Sequence, residues 1–68
     1  MGGASLPLDA AAADHAARIA AALARAGTPI GPFDLLIAGV ARANGALLLT
    51  RNLAEFGRVE GLLVEDWY

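Results

Sequence analysis

Small and apolar residues recur three and four positions apart at Ala12, Ala16, Ile19 and Leu23, inside an alanine-rich run from Ala10 to Ala26. That spacing sets the four side chains on one face of an α-helix, and alanine is the best helix former. Asp9 stands where an N-cap is needed. Asp14 and Arg18 form a favourable pair one turn apart, and Arg25 falls in the last turn, where the helix dipole favours a cation. Gly27 ends the predicted helix and Pro29 prevents its return.

The segment from Gly31 to Ala43 is apolar nearly all the way round, with Pro32 at a plausible first helical position, so a buried helix is predicted. Asn44-Gly45 supplies the stop. Ala46 to Thr50 is then a short uninterrupted apolar run of the kind found in central parallel strands. Asn52 is placed to cap a short turn or helix through Phe56, and Leu62 to Glu65 reads as a last strand. The order helix, helix, strand, helix, strand predicts an α/β fold with a parallel sheet flanked by helices. Two or three short strands leave sheet edges open and give the second helix little cover, so the sheet is expected to be incomplete and the chain to associate. Residues 1–5 are expected to be a start without structure, Leu6 to Leu8 the tail of an extended segment, and residues 6–68 one unit.

Composition narrows the possibilities. The chain has 68 residues, 57% apolar and 18% charged, the profile of a small packed domain and not of a disordered tail. Its formal net charge is −2 and all five basic side chains are arginine, which excludes the broad basic footprint of a protein that coats nucleic acid. A metal-dependent nuclease escapes that exclusion, because its site is built from carboxylates and the bound cation meets the phosphate. With no cysteine, disulfides and thiolate zinc sites are excluded. The alanine-rich run carries Asp14, His15, Arg18 and Arg25, so it is too polar and too short to cross a bilayer, and a cytoplasmic location is expected.

The candidate chemistry gathers around Asp34, Thr50 and Asn52. Asp34 is the one charged group near the start of an otherwise apolar helix, where an acid also serves simply to offset the helix dipole. Thr50 and Asn52 follow the apolar strand, and α/β folds place ligands outside the carboxyl ends of their strands. Asn52 either caps the next helix or offers a neutral oxygen to a hard cation such as Mg²⁺. With Glu55 three residues later the pattern is close to a capping box, and the cap is the reading adopted for Glu55. Arg51 and Arg58 are candidates for RNA phosphates as well as solvated surface residues. His15 reads as surface or boundary packing, and Trp67 and Tyr68 as packing against the first helix or a partner.

Six blocks carry a resemblance that spans nearly all of Leu6 to Trp67: Leu6-Pro7-Leu8-Asp9, Thr28-Pro29-Ile30-Gly31, Asp34-Leu35-Leu36-Ile37-Ala38, Leu48-Leu49-Thr50-Arg51-Asn52, Glu55-Phe56-Gly57-Arg58-Val59, and Gly61-Leu62 with Glu65-Asp66-Trp67. In order and spacing the chain resembles the C-terminal half of VapC-type PIN-domain ribonucleases. The resemblance implies a Mg²⁺- or Mn²⁺-dependent endoribonuclease, the toxin of a toxin–antitoxin pair, held by a VapB-like antitoxin. It also implies a homo-oligomer, or association with an N-terminal half. Asp34 matches the family's acid opening the Asp-x-x-Ile-Ala helix, a metal ligand and catalytic residue. Asn52 matches a catalytic, metal-binding position that is Asp or Asn, and Thr50 the polar residue that steadies that corner. The family's first strand with its Asp and a following helix with its Glu have no counterpart in these 68 residues. Asp34 is thus the only matched carboxylate, and a truncated chain is expected. The alternative is a non-catalytic remnant that binds an antitoxin or itself.

Overall fold

The computed structural model describes residues 9–66. The proposed extended entry at Leu6 to Leu8, the unstructured start at 1–5 and the aromatic pair Trp67 and Tyr68 lie outside the described residues. The elements run α1 (Ala10–Arg25), α2 (Pro32–Ala43), β1 (Leu47–Thr50), α3 (Leu53–Phe56) and β2 (Leu63–Asp66), in the order the sequence predicts. The strands pair in parallel, Leu47 opposite Leu63 through Thr50 opposite Asp66, with α3 in the crossover.

Both long helices form for local reasons that can be traced to single residues. The Asp9 carboxylate accepts the Ala12 N–H at 3.0 Å and so caps α1. At the other end the Thr28 N–H reaches the Leu23 carbonyl and the Gly27 N–H the Ala24 carbonyl, a Schellman closure with Gly27 at φ +75°. Helix α2 closes identically, with Ala46 to Ala41, Gly45 to Arg42, and Gly45 at φ +61°. Pro32 opens α2, where its missing N–H costs nothing. The Asp14–Arg18 pair is present at 2.8 Å, but both side chains are well exposed, so it adds little stability.

The predicted face of α1, Ala12, Ala16, Ile19 and Leu23, is the buried one. Ile19 and Leu23 join Ile30, Ala38, Ala41, Phe56, Val59 and Leu62 in a single core. Helices α1 and α2 approach closely at Gly39, where an added Cβ would lie 2.8 Å from both the Ala12 carbonyl oxygen and the Ala16 Cβ. His15 is half-buried at the edge of this crossing, a boundary position as expected. Its Nδ1 accepts a hydrogen bond from Arg42 Nε of α2 at 2.8 Å, a partner far away in sequence.

Two expectations need correction. Helix α2 is buried only at Ala38, Gly39 and Ala41, while Phe33 is 73% exposed. Strand β1, expected to be central, has one neighbour, and its Leu47 and Leu49 are exposed, as is Leu63 of β2. The cause is the same for both: among the described residues α1, the short α3 with its following turn, and a two-stranded sheet leave one side of α2 and the far side of β1 uncovered. An apolar groove of about 440 Å³ runs there between Phe33, Leu36 and Val40 of α2 and Leu47 of β1. A contiguous apolar surface of this kind is where another chain or segment would be expected to pack. The isolated chain should therefore sediment as larger than a monomer, and Leu36→Glu with Leu47→Lys should shift it toward monomer. A compact parent monomer that melts cooperatively would contradict this expectation. No helix among the described residues is long and apolar enough to cross a membrane.

Candidate functional site

At the carboxyl end of β1 the chain turns sharply through Thr50, Arg51 and Asn52 into α3. Thr50 Oγ1 accepts the Asn52 N–H at 3.0 Å, which ties the turn. This bond also removes the donor that a capping box would offer to Glu55. Asn52 occupies the N-cap position of α3, yet its side chain makes no capping bond to the helix backbone. Its Nδ2 instead donates to Glu55 Oε1 at 3.2 Å. The amide oxygen, the atom a cation would use, is not spent on that bond.

Asp34 sits in the first turn of α2, half-buried, as the sequence places it. Glu55 comes to it from α3. The Glu55 carboxyl is held above its ordinary range, first by a hydrogen bond to the Asp34 side chain, then by desolvation and by repulsion from the Asp34 charge, while Arg58 pulls it back down. A carboxyl beside another carboxylate is disfavoured in its charged form, and a cation between the two would relieve that repulsion. Asp34 is therefore not the lone carboxylate expected from the sequence. Glu55, read there as a helix cap, is its partner. The signal available in the sequence was position: Glu55 lies one turn into the helix that leaves the strand's carboxyl end, beside Thr50 and Asn52.

Thr50, Asn52 and Glu55 are thus joined to one another and to Asp34 in one corner of the molecule. Arg58 lies close enough to act on Glu55 by charge, and Arg51 is exposed between Thr50 and Asn52. Among the described residues there is no cluster of three or more His, Asp or Glu side chains able to hold a metal ion. The donors present are two carboxylates and an amide oxygen, all hard oxygens. Mg²⁺ is commonly held by one or two carboxylates, with water and substrate phosphate completing its octahedron, so this set fits Mg²⁺ or Mn²⁺.

The raised Glu55 pKa has a consequence for stability. Folding raises the Glu55 pKa above its usual 4.5, so the folded chain binds that proton more readily than the unfolded chain does. Glu55 therefore favours folding least at neutral pH, and its unfavourable contribution sets in as pH climbs from the unfolded value through the raised one. Glu55→Gln should raise the melting temperature at neutral pH and leave it nearly unchanged at about pH 4. Equal melting temperatures at neutral pH would show that the two carboxyls are not in contact.

A family model described as the PIN domain matches residues 2–62. The chain is 56% identical over 62 residues to a tRNA(fMet)-specific endonuclease VapC of Shigella flexneri, covering 91% of this chain and 47% of the relative. It is 50% identical to the protein of the same name in Salmonella typhimurium, with the same coverage. Among solved structures it resembles DNA-bound VapBC from Salmonella typhimurium, with a TM-score of 0.84 at 49% identity, over 90% of this chain and 46% of that one. It likewise resembles VapBC-1 from nontypeable Haemophilus influenzae, with a TM-score of 0.85 at 37% identity, over 91% and 46%. The chain spans about half the length of the curated relatives it matches.

Proposed function

The chain belongs to the PIN-domain family, in its VapC branch, and from that premise we propose that it forms the Asp34 side of a Mg²⁺- or Mn²⁺-dependent endoribonuclease site. The proposal rests on the corner at the carboxyl end of β1, where Thr50 Oγ1 takes the Asn52 N–H, Asn52 Nδ2 reaches Glu55 Oε1, and the neighbouring Asp34 side chain raises the Glu55 pKa. Like charges brought together at a strand end are costly unless a cation or a proton lies between them. Asp34, Glu55 and the Asn52 amide oxygen would hold the cation. A divalent ion supplies Lewis acidity at a phosphodiester and lowers the pKa of a bound water. The chain's own groups bind and orient. Thr50 fixes the Asn52 backbone, and Arg58, which acts on Glu55 by charge, and Arg51 are the candidates to meet phosphate oxygens of an RNA strand.

The substrate class is RNA, with tRNA the first candidate because the relatives are named for it. The partner is a VapB-like antitoxin, since the similar structures are VapBC complexes. Further carboxylates would have to come from the half of the relatives that these residues do not match. The test supplies that half in trans, adds Mn²⁺ and follows cleavage of a tRNA. Cleavage should appear with the metal and stop on chelation with EDTA. Cleavage that persists in EDTA would defeat the metal-dependent reading.

A second reading has its own observation. The apolar surface of Phe33, Leu36, Leu47, Leu49 and Leu63 suits a module that binds an antitoxin or a second copy without catalysis. Antitoxin binding without cleavage in the reconstituted mixture would favour it.

A further inference from the structure

Arg42 lies in the last turn of α2, two turns beyond Asp34. Its Nε donates to His15 Nδ1 of α1 at 2.8 Å, and its Nη1 donates to the Glu60 carbonyl oxygen at 2.9 Å. An arginine has no acceptor, so His15 must present a bare Nδ1 and carry its proton on Nε2. The arginine stem runs beneath Gly61, where an added Cβ would come within 3.5 Å of Arg42 Cδ, and Gly61 sits at φ +81°. One side chain thus joins α1, α2 and the turn that leads from α3 into β2. That turn carries Arg58, and α3 carries Glu55.

Helix α3 has four residues, a single turn, and Asn52 does not cap it. A helix that short has little intrinsic stability. Its position is set by what lies outside it. Phe56, Val59 and Leu62 anchor it to the core, but apolar burial is non-directional and fixes depth better than rotation. The guanidinium bonds are directional and bear on the turn next to α3.

We infer that Arg42 is a positioning residue for the candidate site: by pinning the Glu60 carbonyl to α2 and α1, it fixes α3 against the first turn of α2 and so sets the separation of Asp34 and Glu55. The functional meaning of that separation rests on the reading of the site given above. The geometric claim stands apart from it and is tested without metal or RNA.

Because the chain contains no cysteine, nitroxide labels can be placed at introduced ones. Phe33→Cys with Ala54→Cys, both at exposed positions, reports the α2–α3 distance by dipolar EPR, with labelled chains diluted in unlabelled chain so that distances between copies drop out. Phe33→Cys with Ala21→Cys reports α1–α2 as the control. Each pair should give one narrow distribution in the parent. Arg42→Met, which keeps the length of the stem and loses every donor, should at least double the width of the α2–α3 distribution and leave α1–α2 unchanged. Arg42→Lys, keeping one donor, should fall between the two. An unchanged α2–α3 width in Arg42→Met would overturn the inference, because Phe56, Val59 and Leu62 would then hold α3 alone. Equal broadening of both pairs would overturn it too, since Arg42 would then support the whole fold and not the placement of α3. Failure of the metal reading would alter neither distribution.

Discussion

Gly39→Ala should destabilise the fold by about 1–3 kcal/mol, the usual cost of overpacking a well-packed site, even though alanine is the better helix former by about 1 kcal/mol. The new Cβ would sit 2.8 Å from the Ala12 carbonyl oxygen and 2.9 Å from the Ala16 backbone nitrogen. Backbone atoms cannot rotate away, so α1 and α2 would have to separate. Separation would also loosen Ile19 and Leu23, which share the core with Ala38 and Ala41. In a chain this small, such a loss is a large share of the total stability. Gly31→Ala is the matching control, because Gly31 has φ −65° and a Cβ there meets nothing within 4 Å. It should change stability by less than about 0.5 kcal/mol. Urea unfolding of both variants measures the contrast, and equal midpoints would contradict the close crossing.

That crossing shows where the sequence stops being legible. Helix limits were readable because they depend on neighbours in the chain. Asp9, Gly27 with Pro29, Pro32, and Asn44-Gly45 act within a few residues of where they stand, and each performs the predicted task. The buried face of α1 was readable because spacing alone determines it. Gly39 gave no such signal, since a glycine inside an apolar helix does not reveal what presses on it. The His15–Arg42 bond was equally hidden, because its partners meet only after α1 and α2 have packed.

Apolar character misled in another way. Helix α2 and strand β1 read as buried on hydrophobicity, while the few short strands already implied open edges and little cover. Phe33, Leu47 and Leu49 are exposed because burial needs a neighbour as well as an apolar side chain. At the candidate site the corner itself was legible, since Asp34, Thr50 and Asn52 were placed there by helix start and strand end. The pairing of Asp34 with Glu55 was not, because it depends on how the crossover from β1 swings α3 back toward α2. A capping pattern in the sequence concealed it. The Thr50 hydroxyl takes the Asn52 N–H and leaves Glu55 to turn toward Asp34.

Asp34→Asn is the substitution expected to change function most. It keeps the shape of the side chain and removes one of the two carboxylates at the corner. The apo fold should tolerate it, because a lost dipole interaction of about 0.3–1 kcal/mol is offset by relief of the repulsion at Glu55. Mn²⁺ affinity should fall, since a single carboxylate with an amide is a poor match for a divalent ion. Cleavage should fall by at least about a hundredfold, the scale on which losing a preorganised partner of the transition-state charge is felt. The most direct measurement compares tRNA cleavage in Mn²⁺ by the 68-residue chain and by its Asp34→Asn variant, each supplied with the unmatched half of a relative. Metal-dependent cleavage with Asp34 and at most a trace with asparagine is the expected result; equal cleavage by the two would contradict the assignment of the site.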